Sequence, residues 1–332
     1  MERIGVGVVG CGFVGMGAHV PAFHSIDSAQ LVAIADADPA RREKVGRKYG
    51  VQALYPDYAE LVNDPAVQVV VVAAPTPLHA KVTLAAIEAG KHVLCEMPLA
   101  SNLDEVERMI DAARRQGVCL MPSLNFHFTP NYAKAKEIID NGQLGNLSAI
   151  MYREWIPAQD LAKQWPPGSW MWNIEESGGP LFTLSVWSID LVRWLTGSEI
   201  VGVQHATRYT RLDKTGGTLG YDAFAAIQLQ SGVVGQLQFS GSVCHAATTS
   251  ALEVVGDSTH VLTATGNDTI TLLGEDPAKT VWDVKERGAK MWGHQQQDEY
   301  FIQCLRDGRN PHITPEDGRK AMEIALQIAK AS

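Results

Sequence analysis

Residues 4–15, "IGVGVVGCGFVG", decide how the chain begins to fold. A short apolar run ends in Gly10, Gly12 and Gly15, spaced G-x-G-x-x-G, and a helical stretch follows to about Ser25. Glycines at this spacing often make only a turn. Here they lie between an expected strand and an expected helix, which is the setting of a dinucleotide-binding turn. Gly10 permits the tight turn, Gly12 lets a pyrophosphate approach the backbone, and Gly15 lets the helix pack on the sheet. Phe13 and Val14 complete the loop. The helix N-terminus then offers its N–H groups and dipole to the phosphates. "LVAIAD" (31–36) is a second strand ending in Asp36. About 20 residues beyond the glycines, a carboxylate accepts hydrogen bonds from the adenosine ribose and repels a 2′-phosphate. Asp36 therefore favours NAD, while Arg41 and Arg42 leave NADP as the alternative.

The pattern continues as alternating strand and helix. "PARREKVGRKYG" (39–50) is a helix with proline at its start and glycine at its end. "VQVVVVAAP" (67–75) is a strand apolar throughout, as when both faces are covered. Helices at 79–90 and 103–117 and strands at 92–96 and 118–123 complete a doubly wound parallel sheet, a Rossmann arrangement of five strands. After Leu124 the pattern changes. A helix at 129–142 precedes strands at 147–156, 202–212, 223–230, 233–240, 251–256 and 269–274, with the helix "LFTLSVWSIDLVRWLTG" (181–197) among them. Two helices, 294–308 and 314–332, close the chain. This predicts an α+β domain with a large, mainly antiparallel sheet. The expected domains are 1–122, NAD(P)-binding, and 123–332, for substrate binding and oligomerisation.

Composition sets bounds. The 332 residues are 45% hydrophobic and 20% charged, in the range of soluble two-domain proteins. A net charge of −9 lacks the basic footprint of a nucleic-acid or anionic-membrane binder. No apolar run is long enough to span a bilayer, and the glycine-rich N-terminus lacks the layout of a signal peptide. Cys11, Cys95, Cys119, Cys244 and Cys304 are scattered, without C-x-x-C. Reduced thiols in a cytoplasmic protein are expected, with neither disulfides nor a metal site.

Four further stretches carry a family resemblance: "AAPTPLHA" (73–80), "AGKHVLCEMPLASN" (89–102), "YAKAKEIIDNGQLGNL" (132–147) and "ESGGPLFTLSVWSIDLVRWLTG" (176–197). In order and spacing the chain resembles the glucose–fructose oxidoreductase / inositol dehydrogenase / MocA (Gfo/Idh/MocA) family over nearly its whole length. The resemblance implies an N-terminal Rossmann domain and a C-terminal α/β domain whose open-faced sheet builds dimers or tetramers. It implies NAD(P)-dependent hydride transfer with a sugar, polyol or related small carbonyl or carbinol compound. It also implies cofactor contacts at Gly10, Gly12, Phe13, Val14, Gly15 and Asp36, then Pro75, Thr76 and His79 after the third strand, and Glu96, Met97 and Asn125 near the nicotinamide.

The family's catalytic groups are not matched. Its Glu-Lys-Pro motif reads Glu96-Met97-Pro98, and its helical Asp, His and second Asp fall on Thr183, Trp187 and Asp190. Offsets of four and seven put these three on one helical face. A positioned acid or base contributes about 10²–10⁴-fold to such a proton transfer. One reading is an oxidoreductase with a relocated acid/base, the candidates being His127, Tyr152, Glu154 and Lys163 beside Asp190. A second is a substrate needing little proton transfer, with Met97 and Trp187 as apolar walls. A third is transient oxidation within an elimination or epimerisation, and a fourth is ligand sensing without chemistry. Six of the eight tryptophans lie between residues 150 and 195. Trp170 and Trp172, beside Pro166, Pro167 and Gly168, are candidates for a pocket lid, and with Met97, Thr183 and Trp187 form the expected substrate pocket.

Overall fold

The computed structural model describes residues 3–212, 219–266, 269–274, 280–283 and 292–330. Strand β1 (Ile4–Val9) runs into the glycine loop, and after helix α1 (Val20–Ser25) the chain returns as β2 (Ala29–Ala35). Helix α2 (Pro39–Tyr49) starts where the Asp38 carboxylate accepts from the amides of Ala40 and Arg41, and it ends at Gly50 with φ 72°. Then come β3 (Ala53–Tyr55), α3 (Tyr58–Val62), β4 (Val69–Val72), α4 (Thr76–Glu88), β5 (His92–Cys95), α5 (Leu103–Gln116) and β6 (Leu120–Pro122). The six strands order as β3-β2-β1-β4-β5-β6, all parallel. The order reverses between β1 and β4, the position at which such sheets bind ligands. The four valines of β4 are fully buried, as the unbroken apolar run predicts. Strand β3 and helix α3 were not expected, because three half-buried residues at a sheet edge leave no alternation to read.

Helix α6 (Pro130–Asp140) leads into β7 (Leu147–Trp155), followed by α7 (Ala158–Gln164), α8 (Ile174–Ser177) and α9 (Gly179–Thr196). The other strands are β8 (Ile200–Arg211), β9 (Leu219–Leu229), β10 (Val234–Ser240), β11 (Thr249–Gly256), β12 (Val261–Thr265), β13 (Thr269–Leu273) and β14 (Thr280–Asp283). They order as β14-β13-β12-β11-β7-β10-β9-β8, antiparallel except for the β7–β10 pair. Short β12 and β14 are additional to the expected strands. One face carries buried Ile150, Tyr152, Ala225, Ile227, Leu237, Phe239, Leu252 and Val254, and α9 packs on it. The other face exposes Met151, Phe224 and Val234. Entry into α9 uses Gly178 at φ 77°, where a Cβ would sit 2.3 Å from the Phe182 ring. Such a conformation and contact exclude other residues.

Helices α10 (His294–Arg306) and α11 (Pro315–Ala329) follow, and the last two residues of the expected final helix lie outside the described residues. The chain divides into two compact units, Met1–Asn125 with Trp292–Arg319, and Phe126–Met291 with Lys320–Ser332. Segment 292–319, expected with the second domain, therefore packs in the first. Helix α10 buries His294, Gln297, Asp298, Phe301 and Ile302 and lies against α1. Its periodicity predicts a buried face but not which partner covers it.

The sheet faces predict opposite outcomes for neighbouring residues. Leu237→Ala is expected to destabilise by about 2–5 kcal/mol through the cavity it opens. Exposed Gln236→Ala is expected to stay within about 0.5 kcal/mol. Denaturant unfolding of both variants checks this, and equal losses would contradict the assigned register.

Candidate functional site

In the first unit the glycine loop has a closed side and an open side. A Cβ on Gly10 (φ 100°) would lie 2.4 Å from the Ala73 carbonyl oxygen, and one on Gly15 would lie 1.9 Å from that of Gly10. A Cβ on Gly12 would meet nothing within 4 Å, so that backbone faces empty space of the kind a pyrophosphate occupies. The chain is helical from Phe13 and Val14, passes through a π-helical turn at Gly15–His19 and enters α1. The first-turn N–H groups have no partners within the helix. The Asp36 carboxylate accepts from the amides of Cys11 at 2.7 Å and Asp38 at 2.8 Å. A carboxylate has about four lone-pair sites, so acceptor capacity for ribose hydroxyls remains. Arg42 donates to the Asp36 carbonyl, and exposed Arg41 pairs with Asp38 at 3.4 Å.

Exposed Pro75 and buried Thr76 start α4. His79 has both ring nitrogens on backbone carbonyls, Nδ1 at 2.7 Å from Pro98 and Nε2 at 2.8 Å from Ala74. Burial lowers its pKa against those contacts. The side chain thus braces the turn after β4 against the loop after β5. In that loop the Met97–Pro98 bond is cis and Met97 is buried. Asn125 donates to the Trp292 carbonyl at 2.6 Å, and the Trp292 ring packs on Phe13 with centroids 5.5 Å apart.

Glu96 is part of a buried network that sequence reasoning missed. Its Oε1 accepts from the Ser123 hydroxyl at 2.6 Å and lies 2.8 Å from His19 Nε2 and 3.4 Å from His294 Nε2. Its Oε2 accepts from the Met97 amide at 3.3 Å. His19 Nδ1 is 2.9 Å from Asp298, and Gln297 donates to Ser123 at 2.9 Å. Burial works to lower the His19 pKa, but the Asp298 and Glu96 carboxylates raise it to about 10. Burial works to raise that of Glu96, but His19 and His294 hold it well below the usual carboxylate range. The network joins residues up to 279 positions apart, beyond the reach of any local pattern.

In the second unit, Thr183, Trp187 and Asp190 share a face of α9. Thr183 is buried with no hydrogen-bond partner for its hydroxyl, and Trp187 is half-buried. The Asp190 carboxylate is 2.7 Å from His127 Nε2 and accepts from Arg193 at 2.8 Å. The His127 ring stacks on Trp194 at 4.2 Å, and Arg193 grips Glu199 through two bonds. The structure thus joins two sequence candidates 63 residues apart. It also joins two others. The Tyr152 hydroxyl lies 3.4 Å from that of Tyr132 and 3.5 Å from the Glu154 carboxylate. Burial raises the Tyr152 pKa well above normal and raises that of half-buried Glu154 to about 7. Lys163 is exposed and pairs with Asp160 at 2.5 Å, a surface contact.

The tryptophan segment borders a cavity of about 460 Å³ lined by Gly168, Ser169, Trp172, Asn173, Ile174, Glu175 and Arg211. Trp172 is buried, and its indole donates to the Trp165 carbonyl at 2.6 Å, so it is a fixed wall rather than a lid. Half-buried Trp170 meets Trp165 edge-on at 6.3 Å. The thiols of Cys11, Cys95 and Cys119 are pushed up to about 12 by burial, which leaves them unreactive.

Comparison with known proteins agrees with this geometry. Residues 4–124 match the Gfo/Idh/MocA oxidoreductase family with its NAD-binding Rossmann fold, and residues 132–261 match that family's C-terminal domain. The chain is 28% identical over 334 residues to Myo-inositol 2-dehydrogenase of Thermotoga maritima, covering 98% of this chain and 95% of that one. It is 27% identical over 308 residues to scyllo-inositol 2-dehydrogenase (NAD(+)) of Bacillus subtilis, covering 91% and 86%. The crystal structure of a probable dehydrogenase from Thermotoga maritima superposes with a TM-score of 0.80 at 26% identity, over 97% of this chain and 94% of that one. Among the described residues no helix is long and apolar enough to cross a membrane. With both domains matched across most of its length, the chain belongs to the Gfo/Idh/MocA family of NAD-dependent oxidoreductases.

Proposed function

We propose that this protein oxidises a small cyclic polyol or sugar with NAD, and that Glu154 takes the hydroxyl proton. The inositol dehydrogenases it resembles support the substrate class. Gly10, Gly12, Phe13, Val14 and Gly15 would hold the pyrophosphate, Asp36 the ribose, and Pro75, Thr76, Met97 and Asn125 the nicotinamide half. His79 and Glu96 act one layer behind, because their polar atoms already engage protein partners. When bound, the nicotinamide supplies the hydride acceptor. The redox-neutral and sensing readings are not favoured, since the named relatives are dehydrogenases.

One observation carries the assignment of the proton. Of the candidates to replace the missing lysine and histidine, Glu154 combines partial exposure with a pKa raised to about 7. A base is most effective when its pKa is near the working pH. Tyr152 holds the carboxylate from the buried side and stays protonated. In the second unit, half-buried Trp187 would supply apolar surface for a sugar ring. A second reading gives the proton to His127, oriented by Asp190 at 2.7 Å.

Glu154→Gln separates the two. It is expected to lower kcat/KM for inositol oxidation by about 10²–10⁴-fold and to abolish its rise toward neutral pH, with NAD affinity unchanged. His127→Gln is expected to change kcat/KM by less than about tenfold. Full activity in Glu154→Gln would exclude Glu154, and a large loss confined to His127→Gln would favour the second reading. Stability carries a second signature. A carboxyl raised from 4.5 to about 7 is held protonated by the fold, so its contribution is full below pH 4.5 and is lost as pH rises toward 7. The loss is on the order of 3 kcal/mol at most, and Glu154→Gln should lack it.

The exposed sheet face supports assembly as a homodimer or homotetramer. Met151, Phe224 and Val234 lie exposed on it among Gln228, Gln236 and Gln238, apolar surface suited to a second copy. Met151→Glu combined with Phe224→Glu is expected to convert the oligomer to monomer in sedimentation analysis, whereas a wild-type monomer would refute the proposal. All five cysteines are unpaired, which supports a cytoplasmic location.

A further inference from the structure

We propose that His19, Glu96 and His294 form a binding site for one divalent first-row metal ion, with zinc as the best-fitting ion. This goes beyond the oxidoreductase reading and does not depend on the proton assignment. The three side chains are buried, and their ligand atoms lie within 4.8 Å of one another. Two imidazole nitrogens and one carboxylate oxygen form a donor set common at zinc sites with an open fourth position.

The distances fit a cation. Two ligands held about 2.1 Å from a tetrahedral ion lie about 3.4 Å apart. The Glu96 Oε1 to His294 Nε2 separation is 3.4 Å, Glu96 Oε1 to His19 Nε2 is 2.8 Å and has to open, and the ligand atoms of the two histidines lie within 4.8 Å of each other.

The surrounding residues fit as well. Ligating histidines usually have the second ring nitrogen on a carboxylate, which fixes the tautomer. Asp298 stands 2.9 Å from His19 Nδ1 in this position, and the Ser123 hydroxyl, itself held by Gln297, anchors the Glu96 carboxylate. In that arrangement His19 Nδ1 donates to Asp298 and Nε2 presents its lone pair to the ion.

The second imidazole faces the same oxygen: His294 Nε2 lies 3.4 Å from Glu96 Oε1, while its Nδ1 is buried with no hydrogen-bond partner. Charge is consistent too: with both imidazoles neutral, a divalent ion balances the Glu96 and Asp298 carboxylates. The ion would tie the helix after the glycine loop to the end of β5 and the start of α10, all within the first unit. Its role would be to hold the Glu96–Met97 corner in place.

The test uses untagged full-length protein stripped with a chelator. Zinc titrated by calorimetry should bind at one equivalent per chain and raise the melting temperature. Cobalt(II) should give the intense visible absorption of a tetrahedral site with nitrogen ligands. His294→Ala should lose both responses. Asp298→Asn should weaken zinc binding by about 10–100-fold, the usual cost of removing such a partner. If wild-type protein binds no zinc at micromolar concentrations, or if His294→Ala keeps the stoichiometry and the cobalt spectrum, the site does not exist. The wild-type titration decides the matter even if a variant fails to fold.

Discussion

The first unit depends on a histidine buried between two carboxylates with no access to water. His19 ends the helical turn that leaves the glycine loop, and it lies between Glu96 at the end of β5 and Asp298 on α10. An isolated charge so placed would be strongly unfavourable, and breaking a buried pair by removing one partner costs about 3–5 kcal/mol. Three segments far apart in sequence are therefore held to one arrangement. The family corner at Glu96, Met97 and cis-Pro98 sits on that arrangement, with His79 bracing it from the turn after β4. Glu96 thereby fixes that corner through its buried neighbours.

In the second unit the titratable side chains fall into two separate groups. One face of α9 carries Thr183, Trp187 and Asp190, and the Asp190 carboxylate is occupied by His127 and Arg193. The second group lies on β7. Alternation along that strand places Tyr152 and Glu154 on the same face as α9, two residues apart. Burial of the pair moves the carboxyl toward neutrality while the phenol remains protonated.

Much of this was legible in the residues. The G-x-G-x-x-G loop, Asp36 and the apolar run before Pro75 carried the parallel sheet, because glycine conformation and strand burial are local properties. Strands β3, β12 and β14 were not legible, being only three to five residues long, too short for a period to stand out. The pairing of His127 with Asp190 followed from neither motif, although both residues were singled out. Lys163 and Trp172 looked equally eligible in the sequence, and exposure removed the first while a backbone hydrogen bond made the second a wall.

By itself the sequence determined the strand–helix alternation, the dinucleotide loop and the family, all properties of neighbouring residues or fixed spacings. Tertiary structure alone decided that segment 292–319 belongs to the first unit. It also decided that His19, Glu96, His294 and Asp298 meet, and that Glu154 is the carboxyl shifted toward neutral pH. The reason is that pKa values and ligand clusters depend on burial and on distances of a few ångströms between residues remote in the chain, and no sequence period encodes those.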